Sequence, residues 1–144
     1  MNQNHTYTIQ AVSQETHLPT STLRYYEDMG LLEPIERAAN GHRRYTDSDL
    51  RRVKLIKRLR RTGMSIETMR DFLALYRGGT STARQRCEIL TAHRETVQAR
   101  VDELVDMIAF IDYKIGLYQE EEIEHERERT YEVSAVGQNG AAGL

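Results

Sequence analysis

Tryptophan is absent from the 144 residues, and there are only two prolines, two phenylalanines and a single cysteine, Cys87. One cysteine excludes an internal disulfide and fits a reducing, cytoplasmic location. No apolar run approaches the roughly 18 residues that a membrane-spanning helix requires, and Met1-Asn2-Gln3-Asn4-His5 lacks the form of a signal peptide. No membrane partner is therefore expected. Also missing are a glycine-rich phosphate loop, a Ser/His/Asp or Cys/His nucleophile arrangement and a paired-carboxylate cleft, so nothing points to an enzyme. There is no Cys-x-x-Cys, and His93 and His125 have no ligand partners at useful spacing. Neither a metal nor a cofactor is expected.

What the chain does have is charge, unevenly placed. The formal net charge of −2 hides a surplus of +4 in residues 1–77 (13 Lys and Arg, 9 Asp and Glu) and of −6 in residues 78–144 (7 against 13). Such segregation suggests that the first half meets a polyanion while the second does something else. The length leaves room for a small domain plus an extended element.

Thr8 reads as the cap of a first helix, with Ile9 and Val12 on its apolar stripe and His17-Leu18-Pro19 as its break. A second helix opens near Thr20 and stops at Gly30, with Leu23, Tyr26 and Leu31 able to face the first. Its other residues, Thr20, Ser21, Thr22, Arg24 and Tyr25, suit the grooves and phosphates of a duplex, although a surface helix finishing a core would look similar. Residues 31–37 and 42–45 read as short strands around the Asn40-Gly41 turn, projecting Arg43, Arg44 and Tyr45. Beside a helix-turn-helix, this hairpin makes a wing. Thr46 to Asp49 forms a capping box for a third helix, and Ser65 caps a fourth. From Arg43 to Arg61 there are nine basic residues and two acidic ones, a one-signed face suited to phosphates.

These motifs, Thr22-Leu23-Arg24-Tyr25-Tyr26-Glu27, Gly30-Leu31-Leu32, Asn40-Gly41-His42-Arg43-Arg44-Tyr45, Asp49-Leu50 and Thr62-Gly63-Met64-Ser65-Ile66, closely resemble the MerR family of bacterial transcription regulators. The match spans roughly residues 7–77. It implies a mainly α protein whose winged helix-turn-helix, residues 1–77, binds a pseudo-palindromic promoter operator as a dimer. It further implies distortion of the promoter spacer so that RNA polymerase can use it, in response to a small molecule or a stress. Carried over by position, Ser21 and Arg24 would enter the major groove with Thr20 and Thr22 close by. Tyr25, Arg43, Arg44 and Tyr45 would touch phosphates, as would Arg60 and Arg61 at the second wing.

Gly78-Gly79 reads as a boundary, and Thr82-x-x-Gln85 as the cap of a long helix over residues 78–119. With Cys87 at heptad position a, Arg94, Val101, Ile108 and Ile115 follow at a, while Leu90, Val97, Leu104, Ile111 and Tyr118 fall at d. No partner helix of similar length exists in the chain, so the partner is expected to be a second copy, antiparallel by the resemblance. Phe110, Tyr113 and Leu117 make a second stripe, for packing or for an effector pocket. Residues 120–144 read as a charged, fraying or disordered tail. Metal-responsive members of the family use several cysteines, and small members that answer to aldehydes or thiol stress can carry one in helix three, where Lys57-Arg58-Leu59 stands here. Cys87, near Arg84 and Arg86, fits either a redox sensor or a small buried seam residue. The effector is not legible. A coiled-coil protein whose basic face binds something other than DNA is the competing function.

Overall fold

The computed structural model describes residues 5–140, and of 138–140 the backbone alone. In chain order it contains β1 (Thr6–Tyr7), α1 (Ile9–Thr16), α2 (Thr20–Asp28), β2 (Glu36–Arg37), β3 (Arg43–Thr46), α3 (Asp47–Arg61), α4 (Ile66–Arg77) and α5 (Ala83–Gly140), with a 3-10 turn at Gly79–Thr82. The protein is mainly helical, with a small antiparallel sheet in the order β1-β3-β2. Tyr7 lies opposite Tyr45, and Arg37 opposite Arg43.

Local chemistry sets the helix ends. Thr8 Oγ1 accepts from the Ala11 amide at 3.1 Å, and Ser65 Oγ accepts from the Thr68 amide at 3.1 Å. At α3 the box is reciprocal: Thr46 Oγ1 accepts from the Asp49 amide at 3.1 Å, while Asp49 Oδ2 accepts from the Thr46 amide at 2.9 Å. Each such cap stabilises its helix by about 1 kcal/mol. Past the C-terminal ends of α2 and α3 stand Gly30 and Gly63, at φ +75° and +83°, a left-handed conformation that a Cβ would strain.

The chain divides into two compact units, Met1–Val97 and Gln98–Leu144. The first has one core, in which Leu23 and Tyr26 of α2, Leu31, Tyr45 of β3, Val53 and Ile56 of α3, and Met69 and Leu73 of α4 are all buried. Full burial of such a side chain contributes about 1.5–3 kcal/mol relative to exposure. This unit reaches beyond the expected boundary at Gly78, because Ile89 packs against the core. Thr62 Oγ1 donates to the Leu59 carbonyl at 2.6 Å and is in hydrogen-bond contact with His93 Nε2 at 2.8 Å. Two guanidinium groups lie over the ring of Tyr76 of α4, those of Arg52 at 5.0 Å and Arg86 at 5.4 Å from the ring centre.

In the second unit the described residues continue α5, with local contacts such as Gln98 Nε2 donating to Asp102 Oδ1 at 3.0 Å. Tyr7 forms β1 by pairing with Tyr45. Two expectations change. Thr82 does not cap the long helix: its hydroxyl donates to the carbonyls of Leu75 at 2.5 Å and Gly79 at 2.8 Å. Residues 120–140 are helical rather than a frayed tail. No proline or glycine interrupts Leu117 to Val136, and Glu, Gln and Arg are good helix formers whose propensity outweighs the like-charge repulsion. Residues 141–144 of that expected tail lie outside the described residues. Among the described residues, no helix is long and apolar enough to cross a membrane.

Candidate nucleic-acid interface

The division of labour on α2 follows from its period. Leu23 and Tyr26, three apart, are buried, while Ser21 and Arg24, also three apart, are exposed, with Tyr25 beside them at 47 % exposure. Thr20 and Thr22 are half-buried. The helix begins at Pro19 and has no side-chain cap, whereas the starts of α1, α3 and α4 are each closed by a hydroxyl. The front of α2 thus presents amide N–H groups suited to an anion such as a phosphate.

Arg24 opens onto a cleft of about 410 Å³ between the front of α1 and the β2–β3 wing. Gln10 lines it from α1, and Arg37, His42, Arg43 and Arg44 line it from the wing. The turn that shapes the wing is held by the Gly41 amide donating to the Ala38 carbonyl at 2.8 Å, and the Ala38 amide donating to the His42 carbonyl at 2.8 Å. Asn40 Oδ1 accepts from the His42 amide at 3.1 Å, and Gly41 takes φ +82°. One acid anchors the wing to the helix: Glu27 Oε2 accepts from Arg43 Nε at 2.8 Å, and Oε1 accepts from the Ile35 amide at 3.4 Å. The Glu27 hydrogen bond raises the Arg43 pKa, so that guanidinium is held charged and in place.

The residues singled out from the sequence do not all reach one surface. Arg24, Arg43 and Arg44 line the same cleft. Tyr45 does not: it is 0 % exposed, and its hydroxyl is buried without a hydrogen-bond partner. Its expected phosphate contact is corrected to a core role, because β3 alternates and Tyr45 takes the inward turn against β1. Burial raises its pKa. Arg60 and Arg61 are both exposed, and Arg60 closes the α3–α4 turn, its Nη1 donating to the Met64 carbonyl at 2.9 Å. Gln10, Arg37 and His42 were not anticipated. The Asn40-Gly41 turn could have flagged Arg37 and His42, which flank it, but nothing in the sequence marks Gln10.

On α5, the residues expected at a seam, Leu90 (41 %), Val101 (45 %), Leu104 (57 %), Ile108 (57 %), Ile111 (53 %), Ile115 (48 %) and Tyr118 (63 %), are exposed, and Val97 is half-buried. Phe110 and Tyr113 are exposed as well, with Leu117 half-buried. Cys87 is a free, exposed thiol with Thr91 Oγ1 4.0 Å away. Among the described residues, no group of three or more His, Cys, Asp or Glu could hold a metal ion.

A helix with an exposed Ser-Arg-Tyr face, braced by an arginine-lined wing, defines a winged helix-turn-helix DNA-binding protein. Two family models match: "MerR HTH family regulatory protein" over residues 7–75 and "MerR, DNA binding" over residues 50–112. The HTH-type transcriptional regulator YyaN of Bacillus subtilis, itself uncharacterised, is 33 % identical over 134 residues, covering 83 % of this chain and 97 % of that one. The HTH-type transcriptional regulator ZntR of Escherichia coli K12 is 32 % identical over 102 residues, 70 % of this chain and 72 % of that one. The crystal structure of HiNmlR, a MerR family regulator lacking the sensor domain and bound to promoter DNA, superposes with a TM-score of 0.65 at 30 % identity, covering 81 % of this chain and 92 % of that one. The chain belongs to the MerR family of transcriptional regulators. Its family and relatives regulate transcription and are not enzymes.

Proposed function

We propose that two copies of this chain bind a pseudo-palindromic promoter operator and distort the spacer DNA, so controlling access of RNA polymerase in response to a small-molecule or stress signal. The observation that carries the DNA reading is the exposure of Ser21, Arg24 and Tyr25 on one face of α2, beside the wing cleft that Arg24 itself lines. Arg24 reads a base edge, and Tyr25, Arg43, Arg44 and Arg61 hold the phosphates that fix the helix in its groove. Bending and untwisting a duplex costs several kcal/mol, which a clamp of cationic contacts around the recognition helix offsets. The bound promoter in the HiNmlR structure supports the reading by likeness.

Dimerisation rests on the α5 seam. Apolar side chains left roughly half exposed at heptad spacing are an unfinished interface. Antiparallel overlap of the a and d positions makes a self-complementary two-fold contact.

Footprinting on the intergenic DNA next to the protein's own gene tests the proposal. The expected result is protection of a dyad within a long promoter spacer, weakened 10- to 100-fold in Arg24→Ala, about 1–3 kcal/mol. Protein that protects no dyad, or an Arg24→Ala protein that binds as well as the parent, overturns it.

A further inference from the structure

Gln10 lines the wing cleft without serving the fold. Ile9 before it is buried, and Ala11 after it donates its amide to the Thr8 cap at 3.1 Å. The Gln10 side chain is exposed on the first turn of α1 and borders the same cleft as Arg24. Several of its neighbours there are committed to the chain itself. Thr8 Oγ1 and Asn40 Oδ1 each accept from a backbone amide at 3.1 Å, Arg37 Nη1 donates to the Gly41 carbonyl at 3.1 Å, and Arg43 is held by Glu27. Among the described residues, the side chains of Gln10, Arg24, His42 and Arg44 make no hydrogen bond or ion pair within the chain, so these four are the groups the cleft has left to offer.

The four differ in kind. A guanidinium only donates, so Arg24 and Arg44 match phosphate oxygens or the paired acceptors N7 and O6 of guanine. They do not complement adenine, which shows an acceptor at N7 beside a donor at N6. A carboxamide does, because it carries an acceptor and two donors on one planar group. The neutral imidazole of His42 also has one donor and one acceptor, but they point to opposite sides of the ring and cannot grip one base edge together. Gln10 is therefore the free group in the cleft whose chemistry fits adenine, set among arginines that draw phosphates of any sequence.

We propose that Gln10 is a specificity-determining residue on α1: its Nε2 donates to N7 of an adenine and its Oε1 accepts from N6, at a half-site position other than the one read by Arg24. This rests on the operator reading. It adds a second reading element to α2, since the front of α1 then enters the same groove and the half-site is read from two helices at once.

The test selects binding sites from a pool of randomised duplexes with the parent, Gln10→Ala, Gln10→Glu, His42→Ala and Arg24→Ala, then measures affinities on single-base variants of the selected site. In the parent, one adenine of the half-site should resist replacement, with a G·C pair there weakening binding by about 5- to 100-fold. In Gln10→Ala that preference should vanish while every other position, the melting temperature and the salt slope on random duplex stay as in the parent. Arg24→Ala should lose a different position, and His42→Ala should keep the adenine. Gln10→Glu, which only accepts, should favour cytosine at the same position through its N4 donor, a switch that a merely structural residue would not produce. A Gln10→Ala protein with every preference intact overturns the proposal. So does a uniform loss on all sequences with a shallower salt slope, which makes Gln10 a phosphate contact, and so does loss of the adenine in His42→Ala instead. If the parent itself selects no sequence, the operator reading fails and takes this proposal with it; a dyad selected equally well by the parent and Gln10→Ala sinks this proposal alone.

Discussion

Glu27 and Arg43 join the recognition helix to the wing: Glu27 Oε2 accepts from Arg43 Nε at 2.8 Å, with the two side chains only 16 % and 18 % exposed. The pair sets the spacing between α2, proposed to read DNA, and the β2–β3 hairpin, proposed to hold its backbone. Replacing Glu27 by Ala leaves a poorly solvated guanidinium without a partner and should cost about 1–3 kcal/mol of stability. Because the wing is then free to move, operator affinity should drop as well, while Glu27→Gln, which still accepts a hydrogen bond, should fall between the two. Denaturant titration and a binding isotherm check this. Unchanged values for Glu27→Ala would mean that the wing is held by other contacts.

Tyr45→Phe is expected to leave operator affinity unchanged and neutral-pH stability equal or higher, since it removes a buried hydroxyl that has no partner. The pH response gives a second readout. Burial raises the folded-state pKa of Tyr45 above its unfolded value near 10. The folded state therefore holds the proton more tightly, and its contribution is complete below about pH 10 and lost as pH rises further. The parent should lose stability above that pH more steeply than Tyr45→Phe. A drop in operator affinity in Tyr45→Phe would restore the phosphate contact read from the sequence.

That residue shows where sequence reasoning stops. Thr8, the Thr46–Asp49 box, Ser65 and the stop at Gly30 were legible because each acts within a few residues of chain. The α2 face was legible from its period. Strand β1 was not, since two residues carry no alternation and Tyr7 takes its place only from Tyr45, distant in sequence. Tyr45 itself looked like its arginine neighbours until that pairing turned it inward. The same limit applies to Thr82, whose acceptor Leu75 lies in the preceding helix. The helical extension to Gly140 had a local cause, and counting like charges ahead of helix propensity concealed it.

If the α5 seam joins two copies, a charge at its centre should separate them. Leu104→Arg is expected to shift sedimentation from two chains to one and to weaken operator binding at least a hundredfold, with the first unit still melting cooperatively. A Leu104→Arg protein that sediments as a dimer would place the interface elsewhere.

Cys87 gives an independent view of the same seam. It is exposed in the single chain, and at heptad position a it would be covered if the proposed seam forms. A thiol reagent should therefore react at least tenfold faster in Leu104→Arg than in the parent. Equal rates would place Cys87 outside the interface and favour an accessible, reactive thiol.

Two copies of α2 are proposed to read one dyad. Light scattering of the protein on a duplex carrying the footprinted dyad measures it directly. The account predicts two chains per duplex, formed in one cooperative step, with a duplex carrying only one half-site failing to form the complex at the same concentration. One chain per duplex, or equal affinity for the single half-site, would contradict it.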